Sequence, residues 1–271
     1  MNSRGIAEYA RAALVALSLG AAALAGAGCQ SAPPTCPASA PVAACTRVLF
    51  LGNSYTYVND LPSTFASLAA SGKHQVQVAM VANGGETLSQ HDSSAESLDR
   101  ISSQHWDYVV LQEQSETPAL AGSRDSGMYP AARTLAARIK SAGAVPMLFM
   151  TWAHRDGLPS AGLSTYEAMQ RAIDQSYVEI AHELSVPVAP VGYTWYIVRH
   201  DHPEIVLWQD DGSHPSSAGT YLGACVFYAS IFRQSPEGLA FHGGVDAGQA
   251  AVLQAEASRN VLQQQGEWGL R

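Results

Sequence analysis

The sequence predicts an α/β protein, a three-layer α/β/α sandwich around a five-stranded, mostly parallel sheet. Three observations carry that expectation. Short continuous apolar runs, the pattern of strands buried on both faces, alternate with longer stretches whose apolar residues recur at helical spacing. The segments between the runs are long enough for right-handed crossovers. The runs also end in polar or glycine-rich clusters, and open α/β sheets build their sites beyond the carboxyl ends of their strands.

Residues 48–51 form the first run, broken by Gly52-Asn53-Ser54, residues that tolerate unusual backbone angles. A helix is expected over 61–71, with Asp60 as its N-cap and Gly72 as its stop. The second strand, 76–82, ends at Asn83-Gly84-Gly85, and a short amphipathic helix covers 93–103. The third strand, 106–111, ends in Gln112-Glu113-Gln114-Ser115. A helix over 129–141 is closed by Gly143, and a fourth strand at 145–150 leads into Thr151-Trp152-Ala153-His154. A long helix at 164–184 precedes a short fifth strand at 186–191, and helices over 193–200, 216–232 and 247–264 complete the chain.

Ahead of the first strand the composition changes. Residues 1–28 read as an export signal: Arg4 and Arg11 give a basic start, followed by a run of Ala, Leu, Val and Gly too short and too rich in small residues for a transmembrane helix. Gly26-Ala27-Gly28-Cys29 resembles the bacterial lipoprotein box, in which Cys29 is lipidated and becomes the mature N-terminus. Gly26 stands where Leu is usual, which leaves ordinary secretory cleavage near Ala27 open. Residues 29–45 are rich in Pro, Ala and Ser and suit a tether, and 46–271 would form one globular domain. The expected location is outside the cytoplasm, on a membrane by a lipid anchor only, or else periplasmic or secreted.

The net charge is −8, and losing two arginines and a glutamate with the signal takes it to about −9. No Lys/Arg cluster is present, so nucleic acid is not an expected partner. Cys36 and Cys45 would close a short loop if export allows a disulfide, or stay free thiols, while Cys225 reads as a small core residue. No Cys-x-x-Cys pair supports metal ligation.

Adjacent parallel strands bring the first three clusters to one edge of the sheet. A fourth, Asp211-Gly212-Ser213-His214, lies just ahead of a helix. Acyl transfer needs such a set: a hydroxyl nucleophile, an imidazole to take its proton, a carboxylate to fix the tautomer, and donors for the oxyanion. Asp211 and His214, three apart on one loop, can bond without help from a distant segment. Ser54 lacks the Gly-x-Ser-x-Gly elbow of the α/β-hydrolase fold.

These blocks resemble the SGNH hydrolases, also called GDSL-like lipases and esterases, over residues 47–232. Gly52-Asn53-Ser54-Tyr55-Thr56 matches the first block, with Asn for the commoner Asp, and Gly85-Glu86-Thr87 matches the second. Asp211 and His214, followed by Pro215, match the last. The third block departs: the family has Gly-x-Asn-Asp, and this chain has Gln112-Glu113-Gln114-Ser115, with Gln114 aligned to the Asn and Gln112 the next candidate.

The resemblance implies a flavodoxin-like fold and a serine esterase with no metal or organic cofactor. In it Ser54 is the nucleophile, His214 the base and Asp211 its orienting acid. The backbone N–H groups of Ser54 and Gly85 and the Gln114 amide hold the oxyanion. Family members act on carbohydrate acetyl esters, lipids, lysophospholipids and thioesters. An exported, acidic chain without a long apolar lid segment fits removal of O-acetyl groups from glycans at the cell envelope, with lipid esters the alternative. Two other readings compete. His200, His202, His154 and Asp210 offer zinc-type ligands without a His-Glu-x-x-His motif. A weakly catalytic glycan-binding module could use Trp152 as an aromatic platform, although a strand-end Trp can equally be a core residue.

Overall fold

A computed structural model of the protein describes residue 36 and residues 44–270. The expected export signal, Cys29 and most of the tether lie outside the described residues. Five strands carry the fold: β1 (Thr46–Gly52), β2 (Val76–Ala82), β3 (Tyr108–Leu111), β4 (Val145–Phe149) and β5 (Val188–Ala189). They lie side by side in the order β2-β1-β3-β4-β5, and every neighbouring pair is parallel. Pairing of Leu51 with Val81 and with Leu111 sets the ends of β1, β2 and β3 level, so the three polar clusters emerge at one rim.

The inner strands are apolar because both faces are covered: Val48, Leu49, Phe50 and Leu51 of β1 are wholly buried. Chain reversal around β1 puts the helices into two layers. Helices α2 (Leu61–Ser71), α9 (Ser217–Phe232) and α10 (Ala247–Leu262) pack on one another, and α3 (Leu88–Ser93), α6 (Tyr129–Ser141) and α7 (Tyr166–Leu184) make the second group. Right-handed crossovers demand this division, since β1→β2 runs one way along the sheet and the later steps run the other. Phe50, Phe149 and Phe227 lock sheet to helix in edge-to-face contacts, with centroids 5.3 and 5.0 Å from Phe227. Helix α9 is buried on nearly every side, as a helix at the centre of a layer must be.

Several boundaries differ from the sequence expectation, each for a local reason. The helix expected over 93–103 is α4 (Ala95–Ser102), and a further helix, α3, precedes it. Thr87 and Gln90 form a capping box that starts α3, and Ser94 leaves it in an extended conformation to cap α4 by accepting the Ser97 N–H. The fifth strand shrinks to two residues, and its outer edge is closed by the C-terminal segment, where the Val188 N–H donates to the Trp268 carbonyl at 2.9 Å. Three short helices went unpredicted, α1 (Ser54–Tyr57), α3 and α5 (Ala121–Ser123), with α8 (Val191–Asp201) slightly longer than expected. Cys36 and Cys45 are joined by a disulfide.

Candidate active site

β1 ends at Gly52, where a Cβ would run into the Thr56 hydroxyl and the Gln112 amide oxygen. Asn53 follows as the N-cap of α1, its side chain accepting the Tyr55 N–H at 3.0 Å. Ser54 is therefore the first residue of a helix, and its N–H has no intrahelical acceptor. Among the described residues that N–H has no hydrogen-bond partner at all, and neither does the N–H of Gly85, whose φ of +69° turns the chain after β2. Both residues line one cleft of about 350 Å³, with Gln114, Ser115 and His214.

Asp211 and His214 meet Ser54 from the loop ahead of α9. His214 Nδ1 lies 2.6 Å from Asp211 Oδ2, and His214 Nε2 lies 3.0 Å from Ser54 Oγ. With its Nδ1 proton directed at the carboxylate, the ring presents a lone pair on Nε2 to the serine hydroxyl. Asp211 Oδ1 also accepts the N–H groups of Ser213 and His214, both at 2.9 Å. Burial alone would raise the Asp211 carboxyl, but the His214 ring and these two N–H groups outweigh it and hold the group down at about 2.

Gln114 stands at the cleft. Its Oε1 accepts from the Glu116 N–H, the Thr117 N–H and the Thr117 hydroxyl at 2.9, 3.1 and 3.2 Å. Those three donors fix which end of the amide is nitrogen. One Nε2 hydrogen goes to Ser115 Oγ at 3.2 Å, and the other has no acceptor among the described residues. Gln112 is excluded as the alternative donor, because it is fully buried and spent on the first block. Its Oε1 accepts the Asn53 N–H and the Thr56 hydroxyl, and its Nε2 donates to Asn53 Oδ1 and the Glu113 carbonyl.

Trp152 is not an exposed platform. It is 1% exposed and sandwiched between Tyr55 and Trp195, with centroids 4.3 and 4.1 Å away in near-parallel stacking. Its Nε1 donates to the Ser213 carbonyl at 3.0 Å, and the Tyr55 hydroxyl meets Ser213 Oγ at 2.9 Å. The stack thus props the Asp211–His214 loop from below. Sequence reading missed this use of Tyr55, and it missed His91, which is fully buried and bonded to Ser97 Oγ and the Gly52 carbonyl. A tyrosine directly after the serine was the one visible signal for the first. For His91 there was none.

Of the zinc-type residues, His154 lies beside the cleft, its Nε2 3.2 Å from Ser115 Oγ, and burial pushes its ring below the usual imidazole range. The nearest carboxylate, Glu116, is 4.0 Å away, so this second hydroxyl–imidazole pair lacks an orienting acid. Among the described residues no group of three or more His, Cys, Asp or Glu is placed to hold a metal ion. Two concavities beside α7 and residues 266–269, of about 420 and 630 Å³, exceed the cleft in volume, but neither holds a hydroxyl bonded to an imidazole.

Among solved structures the chain is similar to an SGNH hydrolase from Slackia heliotrinireducens, at 30% identity over 69% of this chain and 99% of that one, with a TM-score of 0.58. The protein belongs to the SGNH hydrolases. The fold is shared further afield. A DUF4886 family protein from Bacteroides uniformis matches 82% of this SGNH hydrolase and 96% of its own length at 17% identity, TM-score 0.67. A variant of an acetyl-xylooligosaccharide esterase from Geobacillus matches 68% and 92% at 17% identity, TM-score 0.52. No family model and no curated protein matches the sequence.

Proposed function

We propose that this SGNH hydrolase is a serine esterase that cleaves carboxylic esters through an acyl-enzyme. The observation that carries the reading is the unbroken chain from Ser54 Oγ through His214 to Asp211. His214 Nε2 takes the Ser54 proton as Oγ attacks the ester carbonyl, and the Asp211 carboxylate steadies the imidazolium that forms. Negative charge on the tetrahedral oxygen falls to the N–H groups of Ser54 and Gly85 and to the second Nε2 hydrogen of Gln114. Collapse expels the alcohol with the proton from His214. Water, deprotonated by the same ring, then releases the acid.

For the natural substrate we propose O-acetyl groups on glycans at the cell envelope. A small cleft whose lining includes Tyr55 and Tyr57 but no aliphatic side chain favours a short acyl group over a long chain, which would need an apolar trough. The intact Ser-His-Asp chain favours turnover over a binding-only role. The Cys36–Cys45 disulfide suits an oxidising compartment, and with the Cys29 box it supports an exported lipoprotein. Radiolabelled palmitate should then enter the wild type and not Cys29→Ser.

The test of function is a panel of acetyl, butyryl and long-chain acyl esters with acetylated oligosaccharides. Acetyl esters should give the highest kcat/KM. Preference for long acyl chains would make the protein a lipid esterase, and no turnover of any ester would return it to a binding role.

A further inference from the structure

Three buried side chains join the ends of β1, β2 and β3 in a ring. Asn53 Nδ2 donates to the Glu86 carbonyl at 2.9 Å, linking the first end to the second. Gln112 links the third to the first through Asn53. Glu113 closes the ring from the third to the second: its Oε1 accepts the Gln114 N–H at 2.6 Å and the Leu88 N–H at 3.3 Å. Leu88 directly follows the Gly85-Glu86-Thr87 block, so one carboxyl oxygen grips both segments from which oxyanion donors come.

Glu113 differs from the other two links in being ionisable. It is fully buried, and its Oε2 has no hydrogen-bond partner among the described residues. Neutral amides do the same linking work at the other two corners, so nothing about bridging the strand ends requires an acid. We propose that Glu113 is a positioning residue of the oxyanion hole, competent as the neutral acid, and that its ionisation switches turnover off. The proposal rests on the esterase reading of Ser54.

As an acid, Glu113 keeps a carbonyl oxygen for both N–H groups and carries no charge. As a carboxylate it leaves a bare oxygen in the core, behind the place where the substrate's own negative charge develops, and the two repel. Burial, only partly offset by the two N–H groups, pushes the carboxyl up to about 7. Few neighbours oppose this. Tyr177 on α7 accepts the N–H of Glu113 itself at 3.3 Å. On α3, His91 is taken by Ser97 and Gly52, and Asp92 lies 3.6 Å from Arg138. In the loop beyond, Glu116 faces His154. No ion pair to Glu113 is present among the described residues.

The proton is held below that value and lost above it, so kcat should fall as pH rises through neutrality. The experiment is kcat and KM against pH for the wild type, Glu113→Gln and Glu113→Ala, with melting temperature on each and phosphonate labelling of wild-type Ser54. Glu113→Gln keeps an acceptor oxygen and cannot ionise, so its alkaline limb should vanish. Glu113→Ala should lower kcat by up to about 10²-fold with KM little changed. An alkaline limb shared by the wild type and Glu113→Gln overturns the proposal, whether or not the alanine variant folds. If Ser54 is not labelled, the nucleophile reading has failed and this inference falls with it.

Discussion

The proposed nucleophile and the proposed acid–base pair are held in opposite ways. Ser54 sits on a strand end whose supports, Asn53, Gln112, His91 and Glu113, are almost completely buried and bonded to one another or to backbone. The Asp211 and His214 side chains are 47% and 35% exposed, on a loop with little of its own regular structure. What steadies that loop comes from elsewhere. Trp152 and Tyr55 hold Ser213, and Asn59 Nδ2 donates to the Pro215 carbonyl at 2.9 Å. The loop folds tightly where Gly212 adopts a φ of +70° and the Arg155 N–H donates to its carbonyl at 2.7 Å. The contrast teaches that this site gets its rigidity from a buried polar ring on one side and from an aromatic prop on the other. Damage should therefore register mainly as lost stability at the amide links of the first side and mainly as lost turnover on the second, Glu113 being the one link of the first side that also acts on turnover.

Removing either half of the pair has the largest effect and sets the scale. Ser54→Ala or His214→Ala should lower kcat by on the order of 10⁶, with the circular dichroism spectrum unchanged. Labelling of a serine other than Ser54 by a phosphonate would contradict the assignment. Gln114→Ala comes next: it removes a donor used in the transition state and should lower kcat by about 10²–10³, or about 2.7–4 kcal/mol, at nearly constant KM. A lowered melting point with normal kcat per folded molecule would instead make Gln114 a purely structural residue.

The third substitution strikes the buried ring. Gln112→Ala leaves the Asn53 N–H and the Thr56 hydroxyl without their shared acceptor, and each buried group so orphaned costs about 1–3 kcal/mol. Urea denaturation should register that loss first, with activity falling as the protein unfolds. The smallest effect is expected from Trp152→Phe, which keeps a ring in the stack and deletes the bond to the Ser213 carbonyl, worth about 0.5–1.5 kcal/mol. Here kcat should drop several-fold before stability suffers. If Gln112→Ala spared stability, or if Trp152→Phe unfolded the protein while leaving kcat intact, the division between the two sides would be wrong.

Local chemistry wrote much of this molecule openly into its sequence. The helix at Leu61–Ser71, capped by Asp60 and stopped at Gly72, and the helix at Tyr129–Ser141 lie where propensity and capping residues put them. The apolar runs of β1, β3 and β4 were legible because a strand buried on both faces has few polar positions to blur it, while the edge strand β2 showed by alternation that passes into an apolar run. Ser54, Asp211 and His214 could be singled out because their motifs are short and keep their residues within one turn or one loop. The sequence could not decide between a paired and an unpaired Cys36, which turns on how the backbone brings the two thiols together, nor between Gln114 and Gln112, which turns on segments far apart in the chain.

Those choices belong to the tertiary structure. Gln112 and Gln114 are two residues apart, a spacing that would put both on one face of a strand, but β3 ends at Leu111 and the chain turns beyond it, so one meets Asn53 in the core and the other opens onto the cleft. Which side is core depends on what packs there, and only the assembled layers fix that. The same holds for Trp152, an aromatic residue at a strand end whose burial depends on Tyr55 and Trp195 arriving from distant positions. Glu113 is the sharpest instance. As a letter it is a charged residue at a strand end, and only the surrounding fold, by removing all water from it, makes it an acid that holds its proton near neutrality.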